Sequence, residues 1–363
     1  MRLPKLSDLV GEQMVVYEHD PDQHLFVAGP PGSGKTSLAV YRARFLRELG
    51  QVVVLVTRNK MLAALAEQLD DGAVVARTMH TFVSNAYRAT LGGYAPTVAP
   101  YIYDFDTIIR QYEMAGVVPA LDHLIVDEGQ NLPEGFFRWA VRFAARTVTV
   151  FADEDQTTDP LRATLRDICA AGMPAPHCLR MNHRNTSEIA DVAEHFHRSA
   201  VLPPGLVQRN GRGGEMPTLT QVTDWDQFAG LVATRFENRS GSIGVILHLR
   251  DDVLALRETI AALLPEGTRV DAYVSRGAGS ASGIRLLDPG VTVLSSESVI
   301  GLEFDAVYLQ DLSRSLPCAT NEQARRMYML CARARDSLNL VDGPIALSAA
   351  QISGLPPAAL LAR

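Results

Sequence analysis

Short β-branched apolar runs alternate with amphipathic stretches along most of the chain. Residues 25–28 predict a strand that enters a Gly/Pro-rich turn. A helix follows from about 35 to 49, with Leu38, Tyr41, Phe45 and Leu49 on one stripe. A second strand at 52–56 leads to a second helix at 60–69, and further apolar runs lie at 73–76, 124–126 and 148–151. The same style returns later, with strands at 243–249, 291–294, 304–309 and 338–341 and helices at 251–264 and 322–335. Strand–helix alternation of this kind builds parallel sheet from βαβ units. Pro203, Pro204, Gly205 and the glycines between 211 and 214 punctuate the middle. The pattern predicts two tandem α/β domains, at about 1–180 and 181–363, with a small helical insertion at about 83–120.

The length of 363 residues fits two domains, and 47% hydrophobic with 21% charged residues excludes a disordered, collagen-like or coiled-coil chain. With 34 Lys+Arg against 41 Asp+Glu, the net charge is −7. A nucleic-acid partner would therefore have to be held by a local basic surface and not by net charge. Cys169, Cys178, Cys318 and Cys331 form no CxxC pair, which fits a reducing cytoplasm better than a zinc site or a disulfide framework. Neither a signal-peptide pattern nor a membrane-length apolar run is present, so the expectation is a cytoplasmic protein without a membrane partner.

Gly29-Pro30-Pro31-Gly32-Ser33-Gly34-Lys35-Thr36 fits G-x-x-x-x-G-K-[ST] and sits between a predicted strand and a predicted helix. Gly29, Gly32, Ser33 and Gly34 would turn backbone N–H groups around a phosphate, and the helix N-terminus would add its positive end. Lys35 would reach the β- and γ-phosphates of ATP, and the Thr36 hydroxyl would ligate Mg²⁺. Asp127 and Glu128 follow Lys35 by 92 and 93 residues at the end of an apolar run. Alone, such acids read as a solvated turn. Beside a phosphate loop, Asp127 is placed to hold Mg²⁺ and Glu128 to take a proton from the attacking water.

Further motifs, spanning Gln13 to Arg335, make the sequence similar to superfamily 1 helicases of the UvrD/Rep type. Asp127-Glu128-Gly129-Gln130 resembles that family's DEAQ box, and Ala152-Asp153-Glu154-Asp155-Gln156 its glycine-aspartate motif ending in a glutamine. Asn182-His183-Arg184 resembles an asparagine–tyrosine–arginine element. Gly301-Leu302-Glu303-Phe304 stands intact, and the run from Tyr328 to Arg335 resembles the last motif. The resemblance implies that Gln13 reads the adenine edge, Gln156 senses the γ-phosphate, and Arg184 and Arg333 stabilise the transferring phosphoryl group. It also implies that Glu303 contacts the ribose and that His183 replaces the tyrosine that stacks on adenine. Two RecA-like P-loop domains with ATP in the cleft between them are the implied fold.

Thr57-Arg58-Asn59-Lys60 and Thr78-Met79-His80-Thr81-Phe82 resemble segments that face nucleic acid in the family. Arg58, Asn59 and His80 would make phosphate contacts, and Arg162 would add another cation. Phe82 reads equally as a base-stacking ring or as a core residue. Ile300 stands where the family has lysine, Leu161 where it has tryptophan before the arginine, and Thr57 near an expected aromatic. The spacing between the motifs leads to the expectation of a compact member without the family's large accessory domains. The resulting expectation is an ATP hydrolase, a helicase-like motor moving on or remodelling single-stranded DNA with a protein partner. The alternatives are a regulatory ATPase switch in a repair or phage-defence complex and an RNA-directed helicase.

Overall fold

The computed structural model describes residues 3, 5–153, 162–198, 207–274 and 285–363. The chain forms two compact units: Arg2–Gly29 with Gly34–Leu179, and Pro30–Ser33 with Arg180–Arg363. They are called here the N-terminal and C-terminal units.

The N-terminal unit runs α1 (Gly11–Tyr17), β1 (Leu25–Ala28), α2 (Lys35–Glu48), β2 (Val53–Thr57), α3 (Lys60–Leu69), β3 (Ala76–Thr78) and α4 (Met79–Leu91). It continues through β4 (Thr97–Ala99), β5 (Ile102–Tyr103), α5 (Phe105–Met114), β6 (Leu121–Val126), α6 (Glu134–Trp139), β7 (Ala145–Ala152), α7 (Leu165–Ala170) and β8 (His177–Cys178). Six strands form one sheet in the order β3-β2-β6-β7-β1-β8, and every pair is parallel. Such a sheet is covered on both faces, which is why β1 reads as an unbroken apolar run and all four of its residues are buried. Phe26, Val56, Leu124, Val126, Val150, Phe136, Phe137 and Trp139 belong to one core. Between α4 and α5, β4 and β5 pair antiparallel as a ribbon.

In the C-terminal unit, β9 (Met181–Asn182), α8 (Ser187–His195) and β10 (Gln208–Arg209) come first. β11 (Thr218–Gln221), α9 (Trp225–Asn238), β12 (Ser242–Leu247), α10 (Arg250–Leu263), β13 (Val270–Tyr273) and β14 (Gly290–Ser295) follow. The unit closes with β15 (Phe304–Leu309), α11 (Asn321–Cys331), β16 (Ala334–Asp342) and α12 (Ala349–Ser353). Its sheet, ordered β11-β16-β15-β12-β14-β13, is again wholly parallel. The α/β class with two tandem RecA-like parallel sheets is therefore as the sequence predicts. No helix among the described residues is long and apolar enough to cross a membrane.

Two of the differences from the sequence reading are instructive. The helix expected to reach residue 335 stops at Cys331, and β16 begins at Ala334, four residues before the expected strand. Asn185 Nδ2 donates to the carbonyls of Ala332 (3.3 Å) and Ala334, and Phe304 pairs with Ala334, so long-range bonds end the helix. The second is α9, which the sequence reading omits although its signals are present. Asp224 accepts from Gln227 N as N-cap, and Phe228, Ala229 and Val232 line the buried stripe.

Candidate nucleotide site

Three neighbouring strands bring the chemistry of the N-terminal unit to one edge. Phe26 and Val126 both align with Val150, so β6 ends two residues before β1 and β7 and sets Asp127 and Glu128 beside their last two residues. Being parallel, they release Gly29, Asp153 and Asp127–Glu128 at the same carboxyl edge, where ligands of open α/β sheets bind. The turn into α2 is possible because Gly32 and Gly34 hold φ of +84° and +88°. A Cβ on Gly34 would also lie 2.8 Å from Gln13 Nε2. Gln13 is buried, and its Oε1 accepts from Val10 N at 3.2 Å.

Lys35 Nζ donates to Gly29 O at 2.7 Å and pairs with Asp153 Oδ2 at 3.3 Å. Thr36 Oγ1 donates to Asp127 Oδ2 at 2.8 Å. The other carboxylate oxygen, Asp127 Oδ1, is buried and meets no hydrogen-bond donor among the described residues. Burial pushes the Asp127 carboxyl up to about 7, and the charge of Glu128 beside it adds to the rise, while Thr36 and Lys35 oppose it. An orphaned, buried carboxylate oxygen next to a hydroxyl is a donor set that suits a small divalent cation.

Glu128 is held from two sides. Its Oε2 accepts from Gln130 Nε2 at 2.6 Å and from Asn131 Nδ2 at 3.3 Å. Gln130 Oε1 in turn accepts from Asp153 N at 3.0 Å, and Asn131 Oδ1 from Arg58 Nη1 at 3.3 Å. Sequence reasoning missed these positioning amides and the Lys35–Asp153 pair. The signal was modest: two amide residues directly behind an acid pair. Gly129 stands where the resembling family has alanine, and a Cβ there would meet Val150 Cγ1 at 2.7 Å.

In the C-terminal unit, Gly32 O accepts from His183 N at 2.9 Å. A Cβ on Gly32 would sit 2.3 Å from Asn182 Oδ1, so this position excludes any side chain. In the same unit, Ser33 Oγ donates to Pro30 O at 2.8 Å. Arg184 pairs with Glu303, both nearly buried, and its Nη1 donates to Ala332 O at 3.2 Å. Burial raises the Glu303 carboxyl, but nearby positive charges, that of Arg184 first and that of Arg335 among them, together with the Arg184 hydrogen bond outweigh it and hold the group below the usual carboxylate range. Arg333 is 1% exposed and donates to Met329 O at 2.8 Å and Leu302 O at 3.3 Å. Arg184, Glu303 and Arg333 therefore converge on the Leu302–Glu303 and Ala332 backbone. Gln156 and Leu161 lie outside the described residues.

The residues expected to face nucleic acid are less uniform. Asn59 Oδ1 accepts from Leu62 N at 2.9 Å, which makes it the N-cap of α3. His80 lies between two tyrosine rings, with centroids 5.4 Å from Tyr103 and 6.2 Å from Tyr101. Burial, then the charge of Arg162, holds His80 below its usual pKa. Phe82 is 8% exposed and packs edge-on against Trp139 at 5.8 Å. Its base-stacking reading is corrected: α4 turns Met79, Phe82, Val83 and Tyr87 inward together, and the core takes the ring. Ile300 is likewise buried, so a lysine's charge is replaced there by core packing.

Residues 13–160 match the family model described as AAA domain. No curated protein matches the sequence. Among solved structures, one similar chain is the C-terminal domain of a possible DNA helicase from Lactobacillus plantarum WCFS1. It shares 22% identity over 49% of this chain and 96% of that one, with a TM-score of 0.34.

Proposed function

We propose that the chain is an ATP-hydrolysing, helicase-like motor of the superfamily 1, UvrD/Rep-like kind, acting on single-stranded DNA together with a protein partner in a reducing cytoplasm. The observation that carries the reading is the buried set Lys35–Asp153, Thr36–Asp127 and Glu128, with one Asp127 oxygen lacking a donor among the described residues.

In this reading residues 1–180 and 181–363 are the two motor domains. Gly29, Gly32, Ser33 and Gly34 present N–H groups to the phosphates, and Lys35 exchanges its partners for the γ-phosphate. Thr36 and Asp127 hold Mg²⁺, which when bound supplies charge to offset that developing on the phosphoryl oxygens. Glu128, oriented by Gln130 and Asn131, accepts the proton of the attacking water. Gln13 and His183 serve the adenine, Glu303 the ribose, and Gln156, Arg184 and Arg333 the γ-phosphate. Arg58, Asn59, His80 and Arg162 are the proposed contacts for the strand's phosphates.

A second reading, a regulatory ATPase that switches a protein partner without translocating, is favoured by the burial of Phe82 and Ile300. ATPase rate with and without oligo(dT), measured across salt, separates the two. Stimulation that fades steeply as salt rises supports the motor, because phosphate contacts release counterions. A rate indifferent to any nucleic acid overturns it.

A further inference from the structure

The ribbon of β4 and β5 presents exposed aromatic and aliphatic side chains. Tyr101 and Tyr94 are each 85% exposed, and Val98 and Ile102 lie open beside them in sequence. Tyr101 occupies the ribbon's tip at φ +64°, a left-handed conformation that glycine adopts freely and a bulky side chain rarely does. Strain of this kind persists where the surroundings hold it and points to a use for the side chain.

The ribbon is anchored and not loose. Tyr103 donates its hydroxyl to His80 O at 3.0 Å and packs on the core ring Phe105 at 5.9 Å. His80 then meets Tyr101 edge-on. Phe105 is thus buried, Tyr103 and His80 are half-buried, and Tyr101 is presented to solvent. Tyr94 is held by Arg88, whose guanidinium lies 5.3 Å from the ring centre.

The local charge suits a polyanion. From Gly72 to Tyr103 the sequence contains no Asp or Glu, although the whole chain is acidic; of the arginines within it, Arg88 lies beside Tyr94, and Arg77 is paired with Glu67 at 3.4 Å. The same stretch holds Tyr87, Tyr94, Tyr101 and Tyr103, four of the chain's 10 tyrosines. Arg162 adds positive charge close enough to depress His80. The next carboxylates are engaged: Asp104 caps α5 through Thr107 N at 3.0 Å, and Asp106 pairs with Arg138 at 2.7 Å.

We propose that Tyr101, braced by His80 on the β4–β5 ribbon, is a stacking platform for the bases of single-stranded nucleic acid. It supplies a ring in a chain whose Thr57 and Leu161 positions lack the aromatics of the resembling family. Stacking on one face and cations alongside are the two components of sequence-tolerant strand binding. The inference rests on the proposed nucleic-acid-dependent reading and names a residue that carries it.

Binding of fluorescein-labelled oligo(dT) to the full chain, read by anisotropy, tests it. Tyr101→Ala should weaken binding by about 5- to 150-fold, and Tyr101→Phe should retain it within about twofold because the π-face remains. An abasic strand of equal length should bind the wild-type protein more weakly and ignore Tyr101→Ala. The melting temperature of Tyr101→Ala should match that of wild type, since an exposed side chain is removed. Equal oligo(dT) affinity of Tyr101→Ala and wild type overturns the platform. So does an equal loss on both strands, or a dimer that only Tyr101→Ala dissociates while DNA binding is kept. Oligo(dT) binding that depends on Tyr101 but leaves ATPase rate unchanged would overturn the motor reading alone. A wild-type protein that binds no oligo(dT) would overturn both.

Discussion

The two parallel sheets finish their carboxyl edges in opposite ways. In the N-terminal unit the edge presents Asp127 with one oxygen on Thr36 and the other without a donor among the described residues. In the C-terminal unit the pairing of Leu247 with Ser295 and of Ile246 with Leu309 sets His248, Ser296 and Asp311 in a comparable row. There the buried Asp311 has one oxygen paired with Arg326 at 2.5 Å, and Arg326 also donates to Ser296, while its other oxygen lies 3.2 Å from His248 Nδ1 with no hydrogen bond between them. A buried carboxylate needs a partner in either case. In one sheet the carboxylate is bonded to a guanidinium charge from α11, while in the other it is bonded to a neutral hydroxyl beside a glycine-rich turn, an arrangement that suits a cation. The same architecture thus gives one candidate site and one structural ion pair.

The sharpest way to break this comparison is Glu128→Gln. It should lower kcat by roughly 10²- to 10⁴-fold while ATP still binds, as loss of a general base does. Near-normal single-turnover hydrolysis would remove Glu128 from that role. The counterpart in the other sheet is Arg326→Ala. Leaving the Asp311 carboxylate buried without its arginine should cost about 3–5 kcal/mol of stability in urea unfolding. Affinity for a fluorescent ATP analogue should not change, and a large loss of nucleotide binding would contradict a purely structural pair.

Acid should bear on the N-terminal sheet through His123. This ring is buried in β6, bonded to Thr149 Oγ1 at 2.8 Å, and burial followed by the charge of Arg42 lowers its pKa from 6.5 to about 3. Between those values the unfolded chain binds the proton and the folded one does not, so stability rises with pH in that window. The contribution is complete above 6.5 and is lost as pH falls toward 3, by up to about 1.4 kcal/mol per pH unit. Fluorescence of Trp139, isolated by Trp225→Phe, should report this loss, and His123→Gln should flatten the slope. The smallest expected effect belongs to Asn131→Ala. Removing one of the two amides on Glu128 should lower kcat about 2- to 10-fold with KM unchanged. An effect as large as that of Glu128→Gln would mean that Gln130 does not hold the carboxylate by itself.

Much of the fold was legible because parallel strands buried on both faces write themselves as apolar runs. The strand at Leu25–Ala28, the helix at Lys60–Leu69 and the strand at Phe304–Leu309 all occur at their expected bounds. The end of α11 was not legible, because the bonds from Asn185 that stop it come from residues far away in sequence. The phosphate loop and the acid pair were readable as residues at a spacing, since a glycine-rich turn between strand and helix has few other uses. Their orientation by Gln130, Asn131 and Asp153 was not. Polar side chains beside a motif look alike until a fold assigns their partners.

What the sequence determined by itself was the class of architecture and which residues to consider as a candidate nucleotide site, because both follow from periodicity and from local backbone needs. Only the tertiary structure decided which of those residues meet. It sent Phe82 and Ile300 into the core, made Asn59 a helix cap, and left Tyr101 exposed at the tip of a ribbon. Burial and hydrogen-bond partnership are properties of the packed chain, and a linear pattern fixes them only where strand register or helix pitch leaves a single choice.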